Sequence, residues 1–321
     1  MTNPDLLTFA TQGPRPSYHY EAARLIAGAE VNVISFMEFG DVVDAAMKTE
    51  PGLGVVAYRT VAGTVDKSVR TFMRQRRTST LPQIVARQDV PISLSLIGAR
   101  EQSLEDLDRQ GVRLLGQDAA LKQVQPWLAE HLPQIELEDG GESIEAVRRV
   151  IEEADDDLVA LGPTHAASPL GGFILGPNQI NPAGSITSFF VLQRDPEVQI
   201  LPVDPEKSQK VTVLSLLHPE GPGEMEKIIN VAHELEITGT RFNQHDPDVV
   251  TKHNPDVARN GGLLEIRHGF YDEKVTTFCK IVNNLKGNDR VRGAFDARRL
   301  GRYDWYPEDV IDLRAELLST D

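Results

Sequence analysis

The stretch EVNVISFMEFGDVVDAAMKTEPGLGVVAYRTV, residues 30–61, determines the fold class. Its two ends, EVNVISF (30–36) and GLGVVAYRTV (52–61), are rich in β-branched residues and predict strands. Apolar side chains between these ends recur at helical spacing: Val42, Val43, Ala46 and Met47. Asp41 is suitably placed to cap that helix. A strand, a helix and a second strand in this order predict a parallel βαβ unit.

The same alternation of strands and helices extends to about residue 192. Further strands are predicted at 6–11, 90–98, 111–116, 132–138, 157–162 and 185–193. Helices are predicted at 118–132, with Asp118 as the N-cap, and at 142–154. These elements together predict an α/β architecture built on parallel-type sheets.

A second unit follows a polar stretch. Residues 194–210 carry prolines and charges without an apolar period, which predicts a linker. Beyond it, strands are predicted at 211–218, 237–246, 261–270 and 291–300, with helices at 222–236 and 273–287. This βαββαβ order is typical of a ferredoxin-like domain. The tail WYPEDVIDLRAELLSTD predicts one short terminal helix.

The composition excludes several classes of protein. A length of 321 residues predicts two domains, and 40% hydrophobic residues exclude a disordered chain. The 33 basic and 48 acidic residues give a net charge of −15, which argues against nucleic acid and membrane surfaces as partners. An anionic ligand must therefore be bound by local positive charges. The single cysteine, Cys279, excludes a disulfide framework. We expect a soluble cytoplasmic protein without a cofactor.

No generic catalytic motif is present. A phosphate loop with GK[ST], a GxGxxG turn after a strand, GxSxG and HExxH are all absent from the sequence. The segment 12–25, QGPRPSYHYEAARL, runs from a strand into a helix, whose N-terminus suits a carboxylate. Ser17 is there either an N-cap or a ligand contact. His19 is either a surface histidine or a proton donor beside that anion.

Three other features each have two interpretations. A basic run that begins with Lys67 and Arg70 is either a solvated surface or part of an anion site. The segment HDPDVVTKH (245–253) is either a polar loop or a site for a divalent ion, and we expect no metal there. Thr187, at the start of an apolar strand, is either a β-former or a site residue.

Four segments, in order along the chain, together resemble the prephenate dehydratase family. Residues 13–23, GPRPSYHYEAA, resemble the loop GPxGTFSxxAA, with Ser17 on its threonine. Residues 56–65, VAYRTVAGTV, resemble PIENSxxGSV. Residues 116–128, GQDAALKQVQPWL, resemble SHPQALxQCxxWL, and residues 185–192, SITSFFVL, resemble the strand NxTRFxVL.

The resemblance implies a fold and a set of domain boundaries. The catalytic domain is expected to have two α/β lobes, similar to a periplasmic binding protein, and residues 211–300 resemble the ACT regulatory domain of that family. The implied boundaries are lobe 1 at 1–84 plus 179–194, lobe 2 at 85–178, a linker at 195–210, an ACT-like domain at 211–302 and a tail at 303–321.

The resemblance also implies a site. Thr187 falls on the family's catalytic threonine, and His19 and Tyr58 are the candidates for a proton donor. The expected substrate contacts are Ser17, Arg59, Thr60, Thr64, Gln117, Ser185 and Ser188.

The chain departs from the family at charged positions. Its Tyr58-Arg59-Thr60 replaces ENS, its Gly116-Gln117-Asp118 replaces SHP, and its Thr187-Ser188-Phe189 replaces TRF. The family's carboxylate-binding arginine is thus a serine, and an arginine stands instead where the family has an amide.

These departures favour a change of reaction. The dehydratase removes CO2 and water from prephenate together, whereas rearranged contacts would permit loss of CO2 alone. That chemistry resembles the non-aromatising prephenate decarboxylases of specialised-metabolite and antibiotic pathways, and it needs a placed acid. We therefore expect a prephenate decarboxylase, a carbon–carbon lyase. The alternatives are a prephenate dehydratase, which forms phenylpyruvate, and a non-catalytic metabolite sensor.

The ACT-like region also departs from the pattern of the family. Family members that bind phenylalanine carry GALV and ESRP, where this chain has GEME (223–226) and TRFN (240–243). We therefore expect the domain to assemble a homodimer or homotetramer rather than to bind phenylalanine.

Overall fold

A computed structural model describes the protein at residues 6–48, 52–60, 63–64, 82–194, 209–219, 224–235, 241–244, 259–268, 272–284 and 296–305. The elements of the first lobe are β1 (Thr8–Gln12), α1 (Tyr18–Ala27), β2 (Asn32–Phe36), α2 (Phe39–Ala46), β3 (Leu53–Thr60), β4 (Gly63–Thr64), β5 (Gln83–Pro91) and β11 (Ile186–Gln193). Those of the second lobe are β6 (Leu94–Gly98), α3 (Leu104–Leu107), β7 (Arg113–Gly116), α4 (Asp118–His131), β8 (Glu136–Asp139), α5 (Ser143–Glu153), β9 (Leu158–Pro163), α6 (Ala167–Leu170) and β10 (Phe173–Leu175).

Each lobe has its own sheet. In the first lobe the strand order is β5-β11-β3-β1-β2, with β1 parallel to β2 and β3 and with β11 antiparallel to β3 and β5. In the second lobe the order is β10-β6-β9-β7-β8. The two sheets confirm the predicted α/β class with a two-lobed architecture.

Strand β11 is buried on both faces, which explains its continuous apolar run. Phe189 and Val191 pack with α1, whereas Phe190 and Leu192 pack with α2 on the opposite face. Because neighbouring side chains alternate between the faces, each site residue on this strand can be assigned to one helix or the other.

The third unit follows the predicted βαββαβ order. Its elements are β12 (Gln209–Pro219), α7 (Glu224–Glu234), β13 (Arg241–Gln244), β14 (Arg259–His268), α8 (Asp272–Asn284) and β15 (Asp296–Trp305). The order β13-β14-β12-β15 is antiparallel throughout, as in a ferredoxin-like sheet. Strand β15 also pairs with β5 at Gly301 and Ile84, so this unit and the first lobe share one 10-stranded sheet.

Three local predictions were wrong. The predicted strand 90–98 is interrupted, because β5 ends at Pro91 and β6 begins at Leu94. Since β5 pairs with β11 in the first lobe, the chain leaves that lobe after Pro91 and not near residue 85.

The N-caps of α2 and α4 are Glu38 and Gln117, and the expected caps Asp41 and Asp118 lie in the first turn. Carboxylates there still interact favourably with the helix dipole.

The chain passes between the lobes through two segments that are bonded to each other. The Ile92 amide donates to the Ser185 carbonyl at 2.8 Å. The Asn181 side chain accepts from the Leu94 amide at 2.7 Å and donates to the Ile92 carbonyl at 2.9 Å. These bonds fix the start of β11, where Thr187 and Ser188 lie, relative to the second lobe. No helix in the described part of the chain has the length and apolarity to cross a bilayer.

Candidate active site

The candidate site lies at the edge of the first sheet from which the chain passes into the second lobe. The carboxyl ends of β1, β3 and β5 and the start of β11 share one edge of the first sheet, because β11 runs antiparallel to β3 and β5. Two bonds connect this edge to α5 of the second lobe. Gln12 Nε2 donates to Glu142 Oε1 at 2.9 Å, and the Arg148 guanidinium donates to the Arg15 carbonyl at 3.1 Å.

Tyr18 joins helix α1 to the segment between the lobes. Its hydroxyl accepts from the Ser93 amide at 2.8 Å and donates to the Ser93 carbonyl at 2.5 Å. Its ring packs on the cores of both lobes and contacts the His165 ring edge-on, with 5.1 Å between centroids. Burial raises the pKa of Tyr18 above its usual range. The phenol therefore stays protonated and fixes the N-terminus of α1 at the boundary between the lobes.

His19 follows on the same helix and has an unusual environment. Its Nε2 atom is buried and has no hydrogen-bond partner among the described residues. Its ring contacts Phe189 edge-on, with 5.0 Å between centroids. Burial lowers the pKa of His19 from 6.5 to about 4, so the imidazole is neutral at pH 7. A buried polar atom without a partner costs free energy, which is compensated when a ligand completes the bond.

Thr187 shares a sheet face with this histidine. It lies two residues before Phe189 on β11, and alternate residues of a strand point to the same face. Phe189 belongs to the core cluster under α1 and is the residue that His19 contacts. The structure therefore brings Thr187 and His19 to the α1 face of the sheet.

Ser17 precedes α1 as its N-cap. Its Oγ accepts a hydrogen bond from the Tyr20 amide at 3.2 Å, and the residue is 6% exposed. The capping interpretation of Ser17 is therefore confirmed, while direct contact with substrate stays a prediction.

We expect Ser17→Ala to lower the free energy of unfolding by about 1 kcal/mol, because the cap bond is lost. Chemical denaturation of the two proteins measures this change. If Ser17 is a cap alone, the KM for the substrate that the resemblance implies should stay within about twofold of the wild type, and Ser17→Asp, which restores a capping oxygen, should recover stability. A larger rise in KM would show that the hydroxyl also contacts substrate.

The opposite face of the sheet carries charge. Ser188 pairs with Arg59 on β3 and with Asp89 on β5, so these three residues form a row across three strands. Arg87 reaches into the row. Its guanidinium donates to both carboxylate oxygens of Asp89, each at 2.9 Å, and to Ser188 Oγ at 3.2 Å. The Arg87 and Asp89 side chains are 6% and 11% exposed, so this is a nearly buried ion pair.

Tyr58 does not join Thr187 and His19. It is fully buried in the cluster under α2, where its ring stacks on Phe190 with 3.6 Å between centroids and 6° between planes. Arg59 pairs with Ser188 whereas Ala57 pairs with Phe189, so Tyr58 is the extra residue of a β-bulge. The position of Tyr58 corrects its assignment as a proton donor, because the sheet separates it from the face of His19.

The remaining predicted contacts lie on several elements. Thr60 ends β3 and is half-buried. Gln117 is exposed at the N-cap of α4, and Ser185 donates to the Pro182 carbonyl at 2.7 Å within a turn. The backbone of Thr64 pairs with Arg59. The Thr64 side chain, Lys67, Arg70 and the segment 245–253 lie outside the described residues.

Arg87 and Asp89 were not predicted from the sequence as site residues. Both belong to β5, a strand that was not predicted as a separate element, in the stretch QIVARQDVP. The signal was present, because an arginine and an aspartate two residues apart on a strand share a face and can pair. Among the described residues, no group of three His, Cys, Asp or Glu is placed to hold a metal ion.

Comparisons with known proteins agree on the fold. The family model of prephenate dehydratase matches residues 9–197. The crystal structure of prephenate dehydratase from Arthrobacter aurescens in complex with L-Phe is 16% identical, with a TM-score of 0.70 and 97% of each chain covered. That of the Staphylococcus aureus Mu50 enzyme is 12% identical, with a TM-score of 0.64 over 92% of this chain and 99% of the enzyme.

A third solved structure belongs to a protein described differently. GqqA, described as a novel type of quorum quenching acylase, is 17% identical, with a TM-score of 0.68 over 94% of this chain and 99% of GqqA. No curated protein sequence matches the chain. At these identities the structures establish the shared fold, while the family match spans more than half of the chain. This chain belongs to the prephenate dehydratase family.

Proposed function

We propose that this protein is a lyase that removes the ring carboxylate of prephenate as CO2 and retains the C4 hydroxyl, so that a dihydro-4-hydroxyphenylpyruvate forms. The observation that carries the proposal is Ser188, which stands where the family pattern has an arginine. The guanidinium bonded to Ser188 belongs to Arg87, and Asp89 already neutralises it at 2.9 Å. Without a free guanidinium to bind it, the ring carboxylate is less stabilised in the ground state and departs more readily as CO2.

The reaction balances with one proton. The bond between C1 and the ring carboxylate breaks, and its electron pair forms a double bond between C1 and C2. The former C2–C3 π pair then takes a proton at C3, so a dianion and a proton give a monoanion and CO2. In a dehydratase the same pair would expel hydroxide from C4. The decarboxylase therefore needs a general acid near C3 that the dehydratase does not.

His19 suits the role of that acid. Its Nε2 atom is buried without a partner among the described residues, on the face that also carries Thr187. A bound dianion would raise the pKa of His19 from about 4, because a nearby negative charge favours the imidazolium. In this proposal Thr187 binds the C4 hydroxyl and thereby orients the ring toward His19.

Product identity tests the proposal. The purified full-length protein is incubated with prephenate, and the products are analysed by mass spectrometry and by NMR of the olefinic protons. A product that has lost CO2 but kept the elements of water, with olefinic ring protons, supports the decarboxylase. Phenylpyruvate, identified by its ultraviolet absorption in alkali, would instead establish the second candidate, a prephenate dehydratase, which the retained Thr187 favours.

A third outcome separates catalysis from binding. Prephenate that binds in a calorimetric titration but stays unchanged would identify a metabolite sensor and would contradict both lyase reactions.

Assembly is tested separately. We propose that the βαββαβ unit forms a homodimer or homotetramer, and light scattering during gel filtration should then give a mass above the 35.5 kDa of one chain.

A further inference from the structure

The N-terminus of α1 has two backbone amides without an acceptor. Ser17 satisfies the next two amides, since its Oγ accepts from Tyr20 at 3.2 Å and its carbonyl accepts from Glu21 at 3.0 Å. Neither the Tyr18 amide nor the His19 amide has an acceptor among the described residues. Amides that point out of the positive end of a helix dipole attract an anion.

His19 indicates independently that a ligand binds at this helix end. Its Nε2 atom is buried and has no hydrogen-bond partner within the part of the chain that the structure describes. Side chains of a helix lean toward its N-terminus, and His19 belongs to the first turn of α1. Its ring contacts Phe189, on the face of the sheet that also carries Thr187. A ligand bonded to Nε2 on this face therefore lies close to the two unpaired amides.

Arg148 brings a positive charge to the same helix end from the second lobe. It lies on α5, and its guanidinium donates to the Arg15 carbonyl at 3.1 Å, two residues before the N-cap of α1. No carboxylate of the described residues forms an ion pair with Arg148. The next residue differs in this respect, because Arg149 is bonded to Glu153 at 2.8 Å and to Glu138 at 3.4 Å. The other N–H groups of Arg148 therefore remain available to a ligand.

The carboxylates around this helix end bind other donors. The pairs are Glu30 with Arg15 at 3.6 Å, Glu21 with Arg24 at 3.1 Å and Glu142 with Gln12 Nε2 at 2.9 Å. None of these three carboxylates neutralises Arg148. One guanidinium and two amides at a helix N-terminus form a set of donors that suits a single carboxylate.

We propose that Arg148 and the amides of Tyr18 and His19 form the subsite for the carboxylate that prephenate keeps, on its pyruvyl side chain. The inference rests on the proposed function, because a lyase that releases the ring carboxylate as CO2 must bind its substrate through the other one. The subsite lies at the end of the helix that carries His19, so both parts of the substrate occupy the same face of the sheet. Its donors come from both lobes, and a bound carboxylate therefore bridges them.

Phenylpyruvate and its amide test this subsite without turnover of prephenate. Phenylpyruvate carries the pyruvyl carboxylate and lacks the ring carboxylate, and phenylpyruvamide has nearly the same shape without the charge. Arg148→Gln keeps an N–H donor for the Arg15 carbonyl and removes the positive charge. In calorimetric titrations we expect this change to raise the Kd of phenylpyruvate about tenfold and to alter that of phenylpyruvamide by less than about twofold. The KM of prephenate should rise by about the same factor as the Kd of phenylpyruvate, with kcat within about threefold.

The matched control is the neighbouring arginine on the same helix. Arg149→Gln changes the net charge of the protein by the same amount, but Arg149 already binds Glu138 and Glu153. This variant should leave the Kd of both ligands unchanged. Salt gives a second measurement. The Kd of phenylpyruvate should rise with ionic strength more steeply for the wild type than for Arg148→Gln, because the variant has lost the charge that salt screens.

Three results would overturn the inference. The first is phenylpyruvate that does not bind the wild type, or that binds Arg148→Gln as tightly as the wild type. The second is an equal loss of affinity for phenylpyruvate and phenylpyruvamide, which would show that Arg148 acts only through its contact between the lobes. The third is a KM for prephenate that rises while the Kd of phenylpyruvate stays constant, which would assign Arg148 to the ring carboxylate.

Failure of the proposed function has a different signature. In that case the wild type forms phenylpyruvate or no product from prephenate, while the binding of phenylpyruvate still depends on Arg148 and not on Arg149.

Discussion

Replacing His19 by phenylalanine should abolish the proposed decarboxylation of prephenate and leave the protein at least as stable as the wild type. The imidazole Nε2 is buried without a partner among the described residues, so its removal takes away a desolvation cost. The edge-on contact with Phe189, at 5.0 Å between centroids, can be kept by another aromatic ring. Loss of a general acid lowers kcat by about 100-fold to 10,000-fold. Steady-state kinetics and denaturant unfolding measure the two effects.

His19→Asn is the second variant, in case phenylalanine does not fit the space. It should also lose activity, because an amide cannot protonate the ring. His131, which is exposed on α4, is the matched control, and His131→Asn should retain wild-type kinetics. Full activity of either His19 variant would remove this residue from the chemistry.

His19 should give rise to two pH dependences, one of activity and one of stability. The free enzyme must be protonated at His19 to act as an acid, and its pKa is about 4. The kcat/KM of the proposed decarboxylation should therefore rise about tenfold for each pH unit as the pH falls from about 8 to about 6. A flat profile, or one that falls toward acid, would contradict the assignment.

The stability of the protein should fall as the pH falls, whereas the activity should rise. The pKa of His19 is about 4 in the folded state and 6.5 for a solvated histidine, so the unfolded chain binds the proton first as the pH falls. His19 therefore lowers the free energy of unfolding as the pH falls from 6.5 to about 4, by on the order of 3 kcal/mol in all, and has no such effect above that range. His19→Phe should lack this part of the acid destabilisation. Equal pH dependence of the two proteins would show that the imidazole is not desolvated.

Thr187→Val should lower kcat by about 100-fold and leave the Kd of prephenate within about threefold of the wild type. Valine has nearly the shape of threonine, so the strand pairing of Thr187 with Val90 and the core under α1 are kept. What is lost is the hydroxyl, which we propose orients the substrate ring through its C4 hydroxyl. Rapid-quench kinetics, together with a binding titration, separates the two constants.

Thr187→Ser is the control for this substitution, since it restores a hydroxyl at the same position. Activity that returns with serine supports a chemical role. A kcat that is unchanged in Thr187→Val would show that the reaction does not use this hydroxyl. If the variant forms the same product more slowly, the result supports a role of Thr187 in orienting the substrate. A changed ratio of decarboxylated product to phenylpyruvate would show that Thr187 also controls the fate of the C4 hydroxyl.

The local patterns of the sequence predicted most of the architecture. The alternation of strands and helices and the βαββαβ order were confirmed because each depends on the spacing of apolar residues within one element. The resemblance of four short segments was confirmed by the family match over residues 9–197. Of strand β5, only the last two residues, Val90 and Pro91, fall within the predicted strand 90–98.

The composition of the site could be predicted only in part. Thr187 and Ser188 are consecutive, so strand alternation alone places them on opposite faces. The sequence by itself could not say that His19 would share the face of Thr187, because that depends on which side of the sheet α1 covers. It also assigned Tyr58 to the site, whereas the bulge at that residue and its stacking on Phe190 bury it under α2.

The sequence by itself determined the fold class, the family and the departures at Arg59 and Ser188, since these are properties of residues and their spacing. Only the tertiary structure decided how charge and solvent are distributed around them. Pairing of β11 with β5 brought Arg87 and Asp89 beside Ser188, and packing of α1 desolvated His19. The physical reason is that strand register and burial arise from contacts distant in sequence, and these contacts set the charge of an arginine's surroundings and the pKa of a histidine.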